Sequence, residues 1–80
     1  MRILDMDSDK PLERVTLYLN EDEAQQLKSY VEDLLSSCQS GDHAHLNDRE
    51  FRREVTIAIY SVDDLGSFDS RSVKLIKTGA

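Results

Sequence analysis

The chain lacks features on which several classes of protein depend. It has three glycines, one proline and one cysteine in 80 residues, and it has no long apolar run. A membrane-spanning helix needs about 18 or more consecutive apolar residues, so a membrane protein is excluded. Gly41, Gly66 and Gly79 are too far apart to form a glycine-rich loop that cradles phosphate.

Cys38 is the only cysteine, which excludes an internal disulfide and a cysteine-rich zinc cage. Residues 1–7 also lack the apolar run of a secretory signal. Both features predict a cytoplasmic protein. Because Cys38 continues an apolar helical stripe, we expect a small core residue there rather than a nucleophile paired with His43.

Positive charge is scarce and scattered. The chain has ten basic and sixteen acidic residues, and most of its net charge of -6 lies in residues 1–40. The only tight basic cluster is Arg49, Arg52 and Arg53, which we expect to pair with neighbouring acids across a turn. Nucleic-acid binding takes a dense cluster of Lys and Arg, so no nucleic-acid partner is expected. The acidic balance favours a basic protein partner.

The length predicts a single domain over residues 1–80, with residues 1–12 loosely ordered. A chain of this size buries only about 60–65% of its surface on folding, so its core is small. Pairing with a second copy would bury more apolar surface, and a homodimer is favoured over a monomer.

Apolar periodicity predicts a strand followed by a long helix. Val15, Leu17 and Leu19 alternate with polar neighbours, which is typical of a half-buried strand over residues 14–19. Asn20 and Glu23 then form a capping box. The helix that follows spans about 17 residues and ends near Gly41, and its apolar side chains recur every three or four positions, at Ala24, Leu27, Val31, Leu34, Leu35 and Cys38.

Two further strands and a terminal element complete the predicted order. Residues 43–46 and 51–60 alternate and read as an antiparallel pair, and residues 69–78 form either a short helix or a strand. The fold class is α+β, with two layers. One long helix packs on a small mixed or antiparallel sheet in the order β-α-β-β, plus the C-terminal helix or strand.

The open face of this sheet is the candidate binding surface. We assign to it Tyr18, His43, His45, Arg52 and Tyr60, because tyrosine is enriched at interfaces and the arginine suits an acidic group. His43 and His45, two positions apart on a strand, point the same way and can share a metal ion. Catalytic zinc needs a third protein ligand, for which Glu54 or a second subunit is the candidate.

The segment from residue 13 to residue 60 is similar to small bacterial immunity proteins of polymorphic toxin systems. The similarity rests on a capped helix ending Leu34-Leu35-Ser36-Ser37, on the segment His43-Ala44-His45-Leu46, and on the apolar strand that starts at Val55. It implies a non-enzymatic cytoplasmic protein that blocks a toxin by binding it. The part from Val62 onward departs from that pattern.

Three functional hypotheses follow. The first is a small acidic bacterial protein that acts as a non-catalytic binding module, of the immunity-inhibitor type, with no cofactor. The alternatives are a metal-binding accessory protein and a small oligomeric enzyme, both of which would use His43 and His45.

Overall fold

A computed structural model describes residues 1–80 and shows an α+β arrangement, which confirms the predicted fold class. Two helices accompany two separate antiparallel hairpins. In chain order the elements are β1 (Ile3–Asp5), β2 (Lys10–Leu12), α1 (Glu21–Ser37), β3 (His43–Asn47), β4 (Glu54–Ala58) and α2 (Ser70–Thr78). No helix is long and apolar enough to span a bilayer.

Helix α1 begins where the capping box predicts. The side chain of Asn20 accepts a hydrogen bond from the backbone N–H of Glu23 at 2.8 Å, and the Glu23 carboxylate accepts the Asn20 N–H at 3.0 Å. The helix ends at Ser37 and is capped by Cys38, three residues before the predicted cap at Gly41. Cys38 adopts the left-handed conformation, with φ 49°, and donates its N–H to the carbonyl oxygen of Leu34.

The β3–β4 hairpin forms one layer and α1 the other. Its strands pair in antiparallel register, with Leu46 opposite Val55 and His45 opposite Thr56. Leu46 is 4% exposed and Leu34 of α1 is also buried, which places part of the core between helix and hairpin. Alternation in β3 and β4 thus sends one set of side chains toward α1 and the other toward solvent.

Residues 1–12, predicted to be loosely ordered, hold the β1–β2 hairpin. Arg71 of α2 ties this hairpin down, since its guanidinium donates to the Asp9 carboxylate at 3.2 Å and to the Asp9 carbonyl at 3.1 Å. Helix α2 confirms the helical alternative at the C-terminus. Asp69 caps its start, and Leu75 and Ile76 are buried.

The predicted strand over residues 14–19 is wrong. This segment has no regular structure, and Val15 and Leu17 are each about half exposed. The alternating pattern is present, but no neighbouring strand supplies hydrogen bonds to the segment. The predicted single sheet, with strands in the order β-α-β-β, is therefore replaced by two hairpins that do not pair with each other.

A single copy of the chain buries little of its surface. Only four of 80 residues are buried, and the accessible surface is 6522 Å². Folded monomers of this mass expose about 4,900 Å². The radius of gyration is 13.2 Å, whereas about 11.6 Å is typical for this length. The chain is thus flat and open, with extents of 34 × 31 × 19 Å.

Candidate functional site

Two histidines dominate the solvent-facing side of the β3–β4 hairpin. Their ring centroids lie 5.1 Å apart in an edge-to-face arrangement. Nδ1 of His45 is 2.8 Å from the hydroxyl oxygen of Thr56 and 3.4 Å from a carboxylate oxygen of Glu54. Nδ1 of His43 is 3.1 Å from the carbonyl oxygen of Gly41. Cross-strand and local contacts therefore hold both rings in place.

The hairpin does not complete a metal centre. No group of three or more His, Cys, Asp or Glu side chains is placed to share a metal ion. Glu54, the predicted third ligand, instead lies beside Nδ1 of His45 on the neighbouring strand. Two imidazoles are one ligand short of the three that catalytic zinc sites use.

Two open grooves run along the junction of α1 and β3, and Tyr30 lines both. The first has a volume of about 410 Å³, and the second about 450 Å³. His43 belongs to the first groove and His45 to the second. The charged residues that line the grooves are mostly acidic. They are Asp33 and Asp42 in the first groove, and Asp22, Glu23, Asp48 and one arginine, Arg49, in the second.

Glycine is required at the inner end of the first groove. Gly41 has φ 96°, a left-handed conformation that disfavours other residues, and a Cβ added there would collide with the side chain of Ser67. Its N–H donates to the carbonyl oxygen of Ile59 at 2.8 Å. The close approach ties the end of α1 to the segment that follows β4.

One carboxylate organises the loop that joins β3 to β4. Asp48 accepts the backbone N–H of Arg52 at 2.8 Å and that of Arg53 at 3.2 Å, and the Arg53 guanidinium at 3.2 Å. The hydrogen bond from the Arg52 N–H is the main cause that lowers the pKa of Asp48 below its ordinary value, and the Arg53 groups add to it. The loop is therefore fixed by its own backbone donors.

The loop confirms the expected pairing for two of the three arginines, whereas Arg49 forms no ion pair. Arg52 lies 3.6 Å from the Glu50 carboxylate, and Arg53 lies 3.2 Å from that of Asp48. These are the neighbouring acids that the sequence predicts. The ion pairs are solvent-exposed, so they contribute little to the free energy of folding.

The predicted binding residues fall into two groups. His43 and His45 are brought together on one strand, and Tyr60, which is 37% exposed, follows β4. Tyr18 lies in the irregular segment before α1 and is 92% exposed, while Arg52 lies in the β3–β4 loop. The sheet that was expected to place Tyr18 beside the histidines is absent.

The sequence pattern does not identify two aromatic residues of this region as part of the candidate site. Tyr30 reads as part of the polar side of α1, but it separates the two grooves. Phe51 is 80% exposed and has φ 54° at the tip of the hairpin, an uncommon conformation for a bulky residue. Its only signal in the sequence is a single aromatic residue between charged neighbours.

The core position predicted for Cys38 is wrong. The residue is exposed and ends α1, and its thiol lies 2.8 Å from the carbonyl oxygen of Leu35. The apolar stripe continues to this position, but the helix stops there. A side chain on the cap is not covered by the opposing hairpin.

Comparison with known proteins adds no relative. No protein-family model matches the chain, and neither do curated proteins or solved structures. The similarity to immunity proteins therefore stays a prediction from residues 13–60, and function has to be argued from the geometry described above.

Proposed function

We propose that the chain is a non-catalytic binding module for a basic protein partner, and that it acts in the cytoplasm. The carrying observation is the pair of grooves on either side of Tyr30, each with a histidine and a lining rich in carboxylates. Lysine or arginine side chains of a partner would enter grooves of this charge. The free, exposed thiol of Cys38 suits a reducing compartment.

The negative charge of the chain supports a basic partner both at long range and at contact. The net charge of -6 attracts a basic protein from beyond contact range and raises the association rate. At contact, Asp22 and Asp33 are exposed on α1, one beside each groove. The surface therefore combines steering by the whole chain with local acceptors for cationic side chains.

Preorganisation of the histidine pair also supports binding. His45 is held by Thr56 and Glu54, and His43 packs edge-on against it. A side chain that is already ordered loses less rotamer entropy when a partner covers it. The two rings thus offer contact area at a low entropic cost.

An inhibitor of the immunity type is the specific form of this proposal. The similarity of residues 13–60 to bacterial immunity proteins implies a protein that blocks a toxin by covering it. An acidic inhibitor complements a basic nuclease electrostatically. Self-association belongs to the same proposal, because so small a core gains from further burial of apolar surface.

Capture of the partner and a matched pair of charge variants test the proposal. The full chain, without a histidine tag, is immobilised and exposed to native lysate, and the retained protein is identified and purified. We expect a basic protein that binds in a 1:1 ratio. Asp22→Asn with Asp33→Asn should weaken its binding about tenfold or more, since two groove charges are removed.

The control removes two charges elsewhere. Asp7→Asn with Asp63→Asn changes the net charge equally but leaves both grooves intact. Equal weakening by the two double variants would contradict the grooves as the binding site and leave only general charge attraction. A captured enzyme whose activity is unchanged at a 1:1 ratio would contradict the inhibitor form.

A further inference from the structure

Helix α1 carries a second apolar surface that its own hairpin does not cover. Val31 and Leu35 are 40% and 56% exposed. Each follows a residue that lines a groove, Tyr30 or Leu34, and is therefore rotated about 100° round the helix axis from the contact with β3. We call the apolar row on this side the outer stripe. It consists of the exposed Ala24, Val31 and Leu35, the partly buried Leu27, and Cys38, which caps the helix.

The outer stripe is symmetric about its middle residue. Leu27 lies four positions before Val31 and Leu35 four positions after it, and the two small residues Ala24 and Cys38 lie seven positions away on each side. When two such helices align antiparallel about Val31, each leucine meets the other leucine of the second copy. Interfaces between identical chains with twofold symmetry have this self-complementary form.

We infer that two copies of the chain pair through the outer stripe, with their α1 helices antiparallel and Val31 facing Val31 on the twofold axis. The inference names the interface for the self-association proposed above. It uses a different side of α1 from the acidic grooves. Binding of a basic partner and pairing of two copies can therefore fail separately.

The exposed area fits a second copy. The chain exposes 6522 Å², about 1,600 Å² more than folded monomers of its mass. Obligate homodimers bury about 2,000–5,000 Å² in total, or about 1,000–2,500 Å² from each chain. An interface with a second copy of the chain would bury an area of the size of this excess. The outer stripe supplies the centre of that interface.

One ion pair beside the outer stripe offsets part of the repulsion between two copies. Each chain carries a net charge of -6, which repels a second copy at long range. Along the edge of the outer stripe, however, Lys28 and Glu32 have opposite signs and lie 3.9 Å apart. This pair is neutral at the edge of the stripe, although Glu21, Asp22, Glu23 and Asp33 leave α1 acidic as a whole.

Sedimentation equilibrium of the full chain tests the pairing, with Val31→Glu as the disrupting variant. The wild type should reach twice the chain mass of 9.1 kDa at micromolar concentration. Val31→Glu should raise the dimer dissociation constant about a hundredfold or more, because two like charges meet on the axis. Gln25→Glu adds the same charge on another side of α1 and should leave the dimer intact.

A charge-swap experiment tests the register. Val31→Glu and Val31→Lys should each be monomeric alone and form a 1:1 heterodimer when mixed, since position 31 faces position 31 of the second copy in the proposed arrangement. Far-ultraviolet circular dichroism checks that the variants are folded, and Leu35→Glu serves as a second disrupting variant if Val31→Glu unfolds. A monomeric wild type, a dimer that survives both glutamates, or a mixture that stays monomeric would each overturn the inference.

Discussion

Asp48 shows how one side chain can fix the conformation of a loop. Its carboxylate accepts hydrogen bonds from two backbone N–H groups and from the Arg53 guanidinium. These local bonds hold the β3–β4 loop, which carries Phe51, in its conformation. The sequence predicts the pairing of arginine with neighbouring acids. It does not predict the backbone donors, because these depend on how the loop turns.

The lowered pKa of Asp48 gives stability a defined pH dependence. The ionised carboxylate is favoured in the folded state, so its contribution is present above the unfolded pKa near 3.8 and is lost as pH falls through the lower folded pKa. Asp48→Asn should therefore lower the melting temperature at neutral pH. The difference from wild type should shrink as the solution is acidified below pH 3.8.

Thermal unfolding of both proteins across this pH range measures the effect. Asp7→Asn is the control, since Asp7 is an exposed carboxylate outside the loop. A difference between wild type and Asp48→Asn that stays constant down to the lowest pH would contradict a role for the ionised group.

Elements with their own start and stop signals are the predictable part of this fold. The α1 boundary at Asn20 and the α2 cap at Asp69 follow from side chains that bond to nearby N–H groups. The β3–β4 pair follows from alternation in two neighbouring segments. Each of these signals needs only local sequence to operate.

Residues 14–19 show where local patterns fail. Alternation describes where side chains would point, but a strand also needs a partner for its backbone. That partner is a matter of tertiary structure, and here no strand edge pairs with the segment. The same limit applies to the site. The shared direction of His43 and His45 is local, whereas the position of Tyr18 depended on the absent sheet.

The capping box of α1 can be tested at the scale of the helix. Asn20→Ala removes the acceptor for the Glu23 N–H and should lower the free energy of unfolding by about 1 kcal/mol. Urea denaturation followed by circular dichroism measures the change. Gln25→Ala, at an exposed helical position, should change the free energy far less. Equal stability of wild type and Asn20→Ala would contradict the assigned cap.

At the scale of the whole molecule, net charge acts in opposite directions on the two proposed associations. Two copies repel each other because each carries -6, whereas a basic partner is attracted. Added salt screens both effects. The dimer dissociation constant should therefore fall as salt is raised, while that of the basic partner should rise.

Titrations at low and high salt measure both constants on the same preparation. The opposite signs are specific to these assignments, since two apolar contacts without charge effects would show no such divergence. Both constants moving in the same direction would show that either the partner is not basic or self-association is not limited by charge.

The small core of the single chain underlies both proposals. Four buried residues and an accessible surface well above that of a folded monomer are the observations on which the proposed pairing of two copies rests. Residues such as Val31 and Leu35 then remain in contact with water until another surface covers them.

The most direct test is the thermal unfolding midpoint of the purified chain as a function of its own concentration. A folded unit made of two copies gains stability by mass action, so the midpoint should rise steadily through the micromolar range. Val31→Glu should unfold at a lower midpoint with little dependence on concentration. A wild-type chain that sediments at 9.1 kDa and unfolds cooperatively at a midpoint independent of concentration would contradict the account.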